Sequence, residues 1–477
     1  MEALDDLQRP VRTAVINEQD LHIIRLIMQD VLHGIVEQRD GLFLIEDRDD
    51  QGNQFHLVSS YVSAYSHGLY GQRDTRYQAW MGDLPAMRQS ADNVLALSLF
   101  FLFFADFVHS AICFYNAFPN GYVWGELFIK YTDGPVRRGL TGYLLYKSAA
   151  FLNIHVFWTL FVSTVYMLFF TRAYTFIRSS VSYFFTIILF FSPALLAFLV
   201  KDPDLYGRKD ILFLGLLTII MAKAGAIIIA PEKQGKAWLT IALCYLVAFL
   251  VHEITLFFSL LPALLVLRAG GRHRLPVLAA IGSVFLLSVL FAVHFQGTKT
   301  MREAMFRDWQ ALIPDFTTQG GMRFIGKDLS SHATPFPWLQ NYSLRLSYIA
   351  AWLLALLPLG LLLYVYRFHR VCSAVMGRSM TWLAYGCALF PAVALTFTIN
   401  DFGRTISYSC LMFLFFVLHI LRIYRDTNGD LPVRPCFTKL HFANTPVLIG
   451  SLYYLLCWKL YHYVPLSMEP RIISLSF

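Results

Sequence analysis

Residues Tyr131 to Gly142 (YTDGPVRRGLTG) put one carboxylate, two adjacent guanidiniums and three glycines into a stretch of twelve, between two long apolar segments. Neighbouring arginines bind a phosphate or carboxylate through paired N–H donors, and glycines let a ligand approach the backbone. Asp133, Arg137 and Arg138 therefore compose an anion site beside an acid or base. The plain alternative is a capped turn with arginines anchored at a membrane surface.

Three further polar clusters lie at the ends of apolar runs. Lys201 to Asp210 (KDPDLYGRKD) mixes acids with Lys201, Arg208 and Lys209. Its oxygen ligands suit a hard divalent cation, but the interleaved bases favour internal ion pairing, so no metal or other cofactor is expected. His252-Glu253 is the single charged interruption of the 31-residue apolar run from Ala237 to Leu267. An ionisable pair at such depth is costly unless it works as an acid/base or pairs with an arginine; a helix-breaking turn is the alternative. Asp401 and Arg404 flank a glycine and either neutralise each other or add a guanidinium to a pyrophosphate clamp with Arg137, Arg138 and Arg208. In the first apolar run Asp106 and His109 stand one helical turn apart and are expected to face the interior.

The elements that must position these residues are membrane helices. The 477-residue chain is 57% hydrophobic, 16% aromatic and only 15% charged, well below the roughly 25% charge usual in soluble domains. The pattern predicts an all-α polytopic bundle of about eleven spans, near 94–117, 151–171, 181–200, 211–230, 237–251, 254–267, 276–295, 346–366, 382–399, 408–424 and 447–465. The fifth and sixth are also readable as one tilted helix. Residues 1–93 read as a small cytoplasmic α+β region, with helical spacing over Ile16 to Gln38 and a hairpin turning at Asp49 to Asn53. They have no signal-peptide pattern and are expected to dock a cytoplasmic protein partner. Residues 94–466 form the helical domain, with a large outer loop at 296–344 whose Trp309 and Trp338 are read as sugar-stacking platforms or interfacial anchors, and 467–477 a short outer tail. The seven cysteines are scattered singly, which gives no zinc or disulfide framework.

With the N-terminus inside, the inner connections are short and basic, as the positive-inside rule asks. The net charge of +8 thus reflects topology and is no sign of nucleic-acid binding. The outer face receives twelve acids, against three in the inner connections. It also keeps Lys130, Arg137, Arg138, Arg208, Lys209 and Arg404, in short loops where the rule disfavours them; binding an anionic substrate explains their presence.

Together these features resemble the bacterial multi-pass envelope glycosyltransferases and repeat-unit polymerases of the GT-C and O-antigen-polymerase type. The resemblance rests on the number of spans, the first outer loop with Asp133, the outer arginines Arg137, Arg138, Arg208 and Arg404, and the one large outer loop. GT-C enzymes often carry an acidic pair next to the first helix, whereas Asp133 has no adjacent acid. The resemblance implies a bacterial inner-membrane protein with an extracytoplasmic C-terminus, whose partners are membrane lipid and a polyprenyl-linked glycan. Asp133, Glu253 and His252 are the candidate acid/base groups. Arg137, Arg138, Arg208, Lys209, Arg404 and Asp401 are the candidates to hold the (pyro)phosphate donor. No glycine-rich phosphate loop accompanies them, which disfavours a soluble nucleotide-sugar site. A transporter or flippase for an anionic lipid-linked glycan, which would need broken helices and paired repeats, and a non-catalytic scaffold of an envelope complex are the alternatives.

Overall fold

The computed structural model describes residues 75–131, 134, 136, 139–202, 205–231, 234–252, 254–270, 274–294, 297–317, 320–326, 342–396, 402–434, 442, 445–458 and 460. The α+β reading of residues 1–93, the outer tail and Trp338 lie wholly or mainly outside them. By its contacts the chain divides into a unit of residues 91–472 and another of 1–90 with 473–477; the first carries everything below. No strand occurs among the described residues.

Among the described residues, five helices are long and apolar enough to cross a membrane. They lie in α1 (Thr75–Asn116, the apolar part being Asn93–Asn116), α4 (Ile154–Ser180), α7 (Asp210–Ile229), α13 (Tyr342–Val365) and α16 (Phe402–Asn428). In chain order the shorter helices are α2 (Tyr122–Leu127), α3 (Gly139–Ser148), α5 (Tyr183–Phe191), α6 (Phe198–Lys201), α8 (Gln234–Val251), α9 (Thr255–Phe258), α10 (Leu260–Arg268), α11 (Arg274–His294), α12 (Lys299–Leu312), α14 (Phe368–Met376), α15 (Arg378–Thr396) and α17 (Thr445–Leu456). Of these, parts of α8, α11 and α17 are apolar over lengths below a full crossing.

Burial ranks the long helices. In α16, 94% of the most apolar window is inside the protein, against 28% in α1 and α4. It is the central post, apolar on all sides because all sides are packed. The outer helix α1 instead turns Phe100, Phe101, Phe104, Val108 and Ile112 outward and buries Phe103, Phe107 and Phe114. Exposed aromatic and aliphatic side chains on one face suit lipid.

Two predicted spans are broken. The 181–200 run is helical only to Phe191; Ser192-Pro193 ends it, a turn follows, and α6 resumes at Phe198. Every residue from Phe184 to Val200 is buried, as non-helical backbone at membrane depth requires. Ser192 is fixed by a 2.8 Å hydrogen bond to the Tyr454 hydroxyl. The 237–267 run is not one tilted helix: α8 stops at Val251, and α9 and α10 follow. No proline or glycine causes this second break. Instead the Thr255 hydroxyl and the His252 N–H both donate to the Ala248 carbonyl, at 3.0 and 3.1 Å, and repair the interrupted ladder.

The bundle has two chemically distinct ends. At one, Arg425 donates to Ser179 O (2.8 Å), Arg268 to Val375 O (2.7 Å) and Arg434 to Tyr364 O (3.0 Å), so basic side chains cap converging helix C-termini. The other holds the polar clusters. There the described part of the 296–344 connection forms α12 and a 3-10 turn, Gly320–Phe324, which packs on α2 in the connection between α1 and α3. The Trp309 indole N–H donates to Phe128 O at 2.7 Å, and Asn120 bonds Asp315 O and Thr317 N. Trp309 is fully buried, so it is a core residue of this cap and not the sugar-stacking platform or interfacial anchor its loop suggested.

Helix α3 seats against this cap through Gly142, where a Cβ would collide with the backbone oxygens of Ile129 and Leu127. Gly142→Ala should therefore cost about 1–3 kcal/mol or more by overpacking, read as a lower melting temperature and yield of the purified protein. Gly215→Ala, on a helix face with open space around it, should leave both unchanged.

Candidate functional site

Asp210 is the first residue of α7 and is 1% exposed. The helix N-terminus favours its negative charge. Arg404 and Tyr408 are one turn apart on α16 and converge on the same carboxylate oxygen: Arg404 Nη1 lies 3.1 Å and the Tyr408 hydroxyl 2.9 Å from Asp210 Oδ2. Arg404 stands in the first turn of its own helix, where the dipole opposes a cation. Asp210, 194 residues earlier in the chain, supplies the compensating charge.

His252 closes the other side. Its Nδ1 accepts from the Ile254 N–H at 3.1 Å, which puts the ring proton on Nε2, and Nε2 faces Asp210 Oδ1 at 3.7 Å. That is longer than a hydrogen bond, and it aims the Nε2–H dipole of a neutral imidazole at the carboxylate in a buried site. The ring packs on Phe213, which with Phe258 also flanks Tyr408. Since a backbone donor occupies Nδ1, His252 is placed to position Asp210 and is poorly placed to take a proton from a bound molecule.

The segment before Asp210 is drawn into the protein by aromatic packing. Gly207 has a φ of 85°, and a Cβ there would run into the Phe114 ring, so the turn needs glycine on both counts. Tyr206 stacks on Tyr166 at 4.8 Å and bonds the Ser163 hydroxyl at 2.8 Å; burial pushes its phenol up to about 12, so it stays protonated at any physiological pH. Arg208 lies over the Tyr122 ring at 5.1 Å, and both Arg208 and Lys209 are buried.

Tyr122 belongs to α2 in the connection between α1 and α3, which also carries the buried charges Glu126 and Lys130. Glu126 is buried beneath Gly321 of the 3-10 turn and near enough for Asp210 to feel its charge. Lys130 is 0% exposed, pairs with Asp308 of α12 at 2.5 Å and lies over the Tyr146 ring at 4.5 Å. Further along, burial raises the Tyr131 phenol, against hydrogen bonds from the backbone of Leu140 and Gly139.

Of the sequence-derived candidates, the described ones are His252, Arg208, Lys209 and Arg404. All four are buried at this end of the bundle. Asp133, Arg137, Arg138, Glu253 and Asp401 lie outside the described residues. On α1, Asp106 is buried and His109 half-buried, the latter 3.5 Å from Cys113 Sγ one turn on, while the neighbouring Ser110 hydroxyl donates to Val200 O at 2.6 Å. What the residue pattern missed is the hub. Asp210 counted only as one acid in a mixed run, and Tyr408 was an aromatic in an apolar helix. Their signals were position: an acid at the first residue of an apolar helix, and a tyrosine four residues beyond a membrane arginine.

The pair is testable by a double-mutant cycle in detergent. Asp210→Leu alone should cost about 3–5 kcal/mol, because it leaves the Arg404 charge buried without its carboxylate, and Asp210→Leu with Arg404→Met should recover part of that loss. Tyr408→Phe should cost about 1 kcal/mol. Additive single effects in thermal unfolding would remove Asp210 from the centre of the site. No family model, curated protein or solved structure matches this chain.

Proposed function

We propose that this membrane protein is a glycan-assembling transferase of the bacterial inner membrane, using a sugar donor linked to polyprenyl phosphate or pyrophosphate at the extracytoplasmic face. The observation that carries the reading is the gathering of Asp210, Arg404, Arg208, Lys209 and His252, all buried, at one end of the bundle beneath an ordered outer cap. Buried charge at a membrane face is expensive and is retained where it works. In this reading the broken and shorter helices join the five long ones in about eleven crossings, with the N-terminus cytoplasmic and the C-terminus outside.

The proposed division of labour follows the neighbourhoods. Arg208, over the Tyr122 ring, and Lys209 supply cations toward the donor phosphates with Arg137 and Arg138, and stabilise charge developing on the leaving group. Asp133 or Glu253 takes the proton of the acceptor hydroxyl. Arg404 and His252 hold Asp210 and thereby fix the ends of α7, α8 and α16 around the site.

A carrier for the same lipid-linked glycan is the second reading, and one observation favours it: two apolar runs whose helices are interrupted, at residues 192–197 and after Val251. Purified protein in liposomes separates the two. A polyprenyl-pyrophosphate-linked oligosaccharide should be lengthened, with loss of at least about 100-fold in Asp133→Asn or Glu253→Gln and in Arg208→Gln. Translocation of the unaltered lipid-linked sugar without new glycosidic bonds would move the carrier to the front; neither activity from well-folded protein would leave the scaffold reading.

A further inference from the structure

The first turn of α3 gathers hydrogen-bond donors in a place that favours an anion. The helix has ten residues, and Arg137 and Arg138 directly precede Gly139, its first. The free amides of a helix N-terminus and the positive end of its dipole attract a negatively charged oxygen. Here the occupant is neutral: the Tyr131 hydroxyl accepts hydrogen bonds from the N–H groups of Gly139 and Leu140. The Tyr131 ring covers the turn so closely that a Cβ on Gly139 would collide with it.

A second donor lies under that ring's helix turn. The Thr141 hydroxyl is buried and has no hydrogen-bond partner among the described residues. Threonine in a helix commonly bonds a carbonyl one turn back, as Thr159, Thr164 and Thr171 of α4 do. Cα–Cβ bonds lean toward the N-terminus of a helix, so the Thr141 side chain is directed to the same end as the free amides. A buried hydroxyl without a partner is costly, and an oxygen ligand at this end would satisfy it. The backbone beside Tyr131 is held: Lys130 is tied to Asp308 and Tyr146, and the Gly134 N–H donates to Tyr131 O at 3.0 Å. Tyr131 can therefore vacate the turn by rotation of its side chain alone.

We propose that the first turn of α3 is a seat for a phosphate or pyrophosphate group, and that the Tyr131 side chain gives way to it. One phosphate oxygen takes the N–H groups of Gly139 and Leu140, the Thr141 hydroxyl donates to another, and Arg137 and Arg138 neutralise the charge. The anion displaces the phenol because charge-assisted hydrogen bonds are the stronger. The seat deepens the donor-phosphate site proposed above and rests on that reading for the source of the phosphate.

The test titrates the full chain in detergent with inorganic pyrophosphate by calorimetry, which needs no turnover. Thr141→Val should weaken binding about tenfold and leave the melting temperature equal or higher, since it removes a buried hydroxyl that has no partner. Tyr131→Phe should tighten binding about fivefold, because the amides lose their resident acceptor. Thr164→Val, whose hydroxyl bonds Leu160 O on α4, should change neither. Farnesyl pyrophosphate titrated in parallel separates the sources: tighter binding with the same two variant effects assigns the seat to a lipid-linked group, equal binding to a free one. No pyrophosphate binding to the unaltered protein, unchanged affinity in Thr141→Val, or no tightening in Tyr131→Phe would overturn the seat, even in a protein that lengthens glycan. The expected variant pattern in a protein that lengthens none would keep the seat and remove the transferase reading.

Discussion

The arrangement of this protein hangs on one carboxylate that has no water to fall back on. Asp210 is buried where the N-termini of α7 and α16 meet the broken end of α8, and it is held by Arg404, Tyr408 and His252. A lone charge at that depth costs several kcal/mol, so each partner is required in place once the acid is there. The requirement runs both ways. Arg404 opposes the dipole of its own helix, and only a fixed anion justifies it at the start of the most buried helix of the bundle. Two consecutive helices, α7 and α8, and the distant α16 are thereby pinned at one level.

The same constraint accounts for the break after Val251. The sequence there, LVHEITLFF, contains no helix breaker. The chain leaves the helix at the residue whose imidazole faces Asp210, and Thr255 and Tyr245 bond the carbonyls of Ala248 and Ser259. The break in 181–200 has a local cause, Ser192-Pro193, and is tolerated because everything around it is buried. One interruption is thus written in the backbone chemistry and the other is imposed by a charge in another helix.

Above the pinned level the first outer loop and α12 form a cap with its own small core, centred on Phe128 and Trp309 and tied by Lys130 to Asp308. Below it the helices close on basic side chains that satisfy their C-terminal carbonyls. The polarity is consistent from end to end. At the capped end Arg404, Arg208 and Lys209 stand against helix N-termini and Asp210 offsets them, where the proposed transferase chemistry needs cations, while at the other end the basic side chains complement helix C-termini.

The sequence by itself determined the class of the protein and the addresses of its polar clusters. Composition and long apolar runs demand a helical membrane bundle, because lipid leaves the backbone no other partner. A charge inside or beside an apolar run stands out for the same energetic reason, which is why His252, Arg208, Lys209 and Arg404 were visible and lie together at one end. Only the tertiary structure decided the partners. Arg404 stood out beside Asp401 as half of a local pair or part of a clamp, and its bond to Asp210 comes from another helix; Trp309 looked like a surface aromatic, yet it is the core of the cap; and Ala237 to Leu267 looked equally like one helix or two. Periodicity reports which side of a helix is apolar, but it carries no information about which helix lies opposite. Pairing across 194 residues is set by packing, and it was packing that picked Asp210 out of its acidic run as the one the bundle closes around.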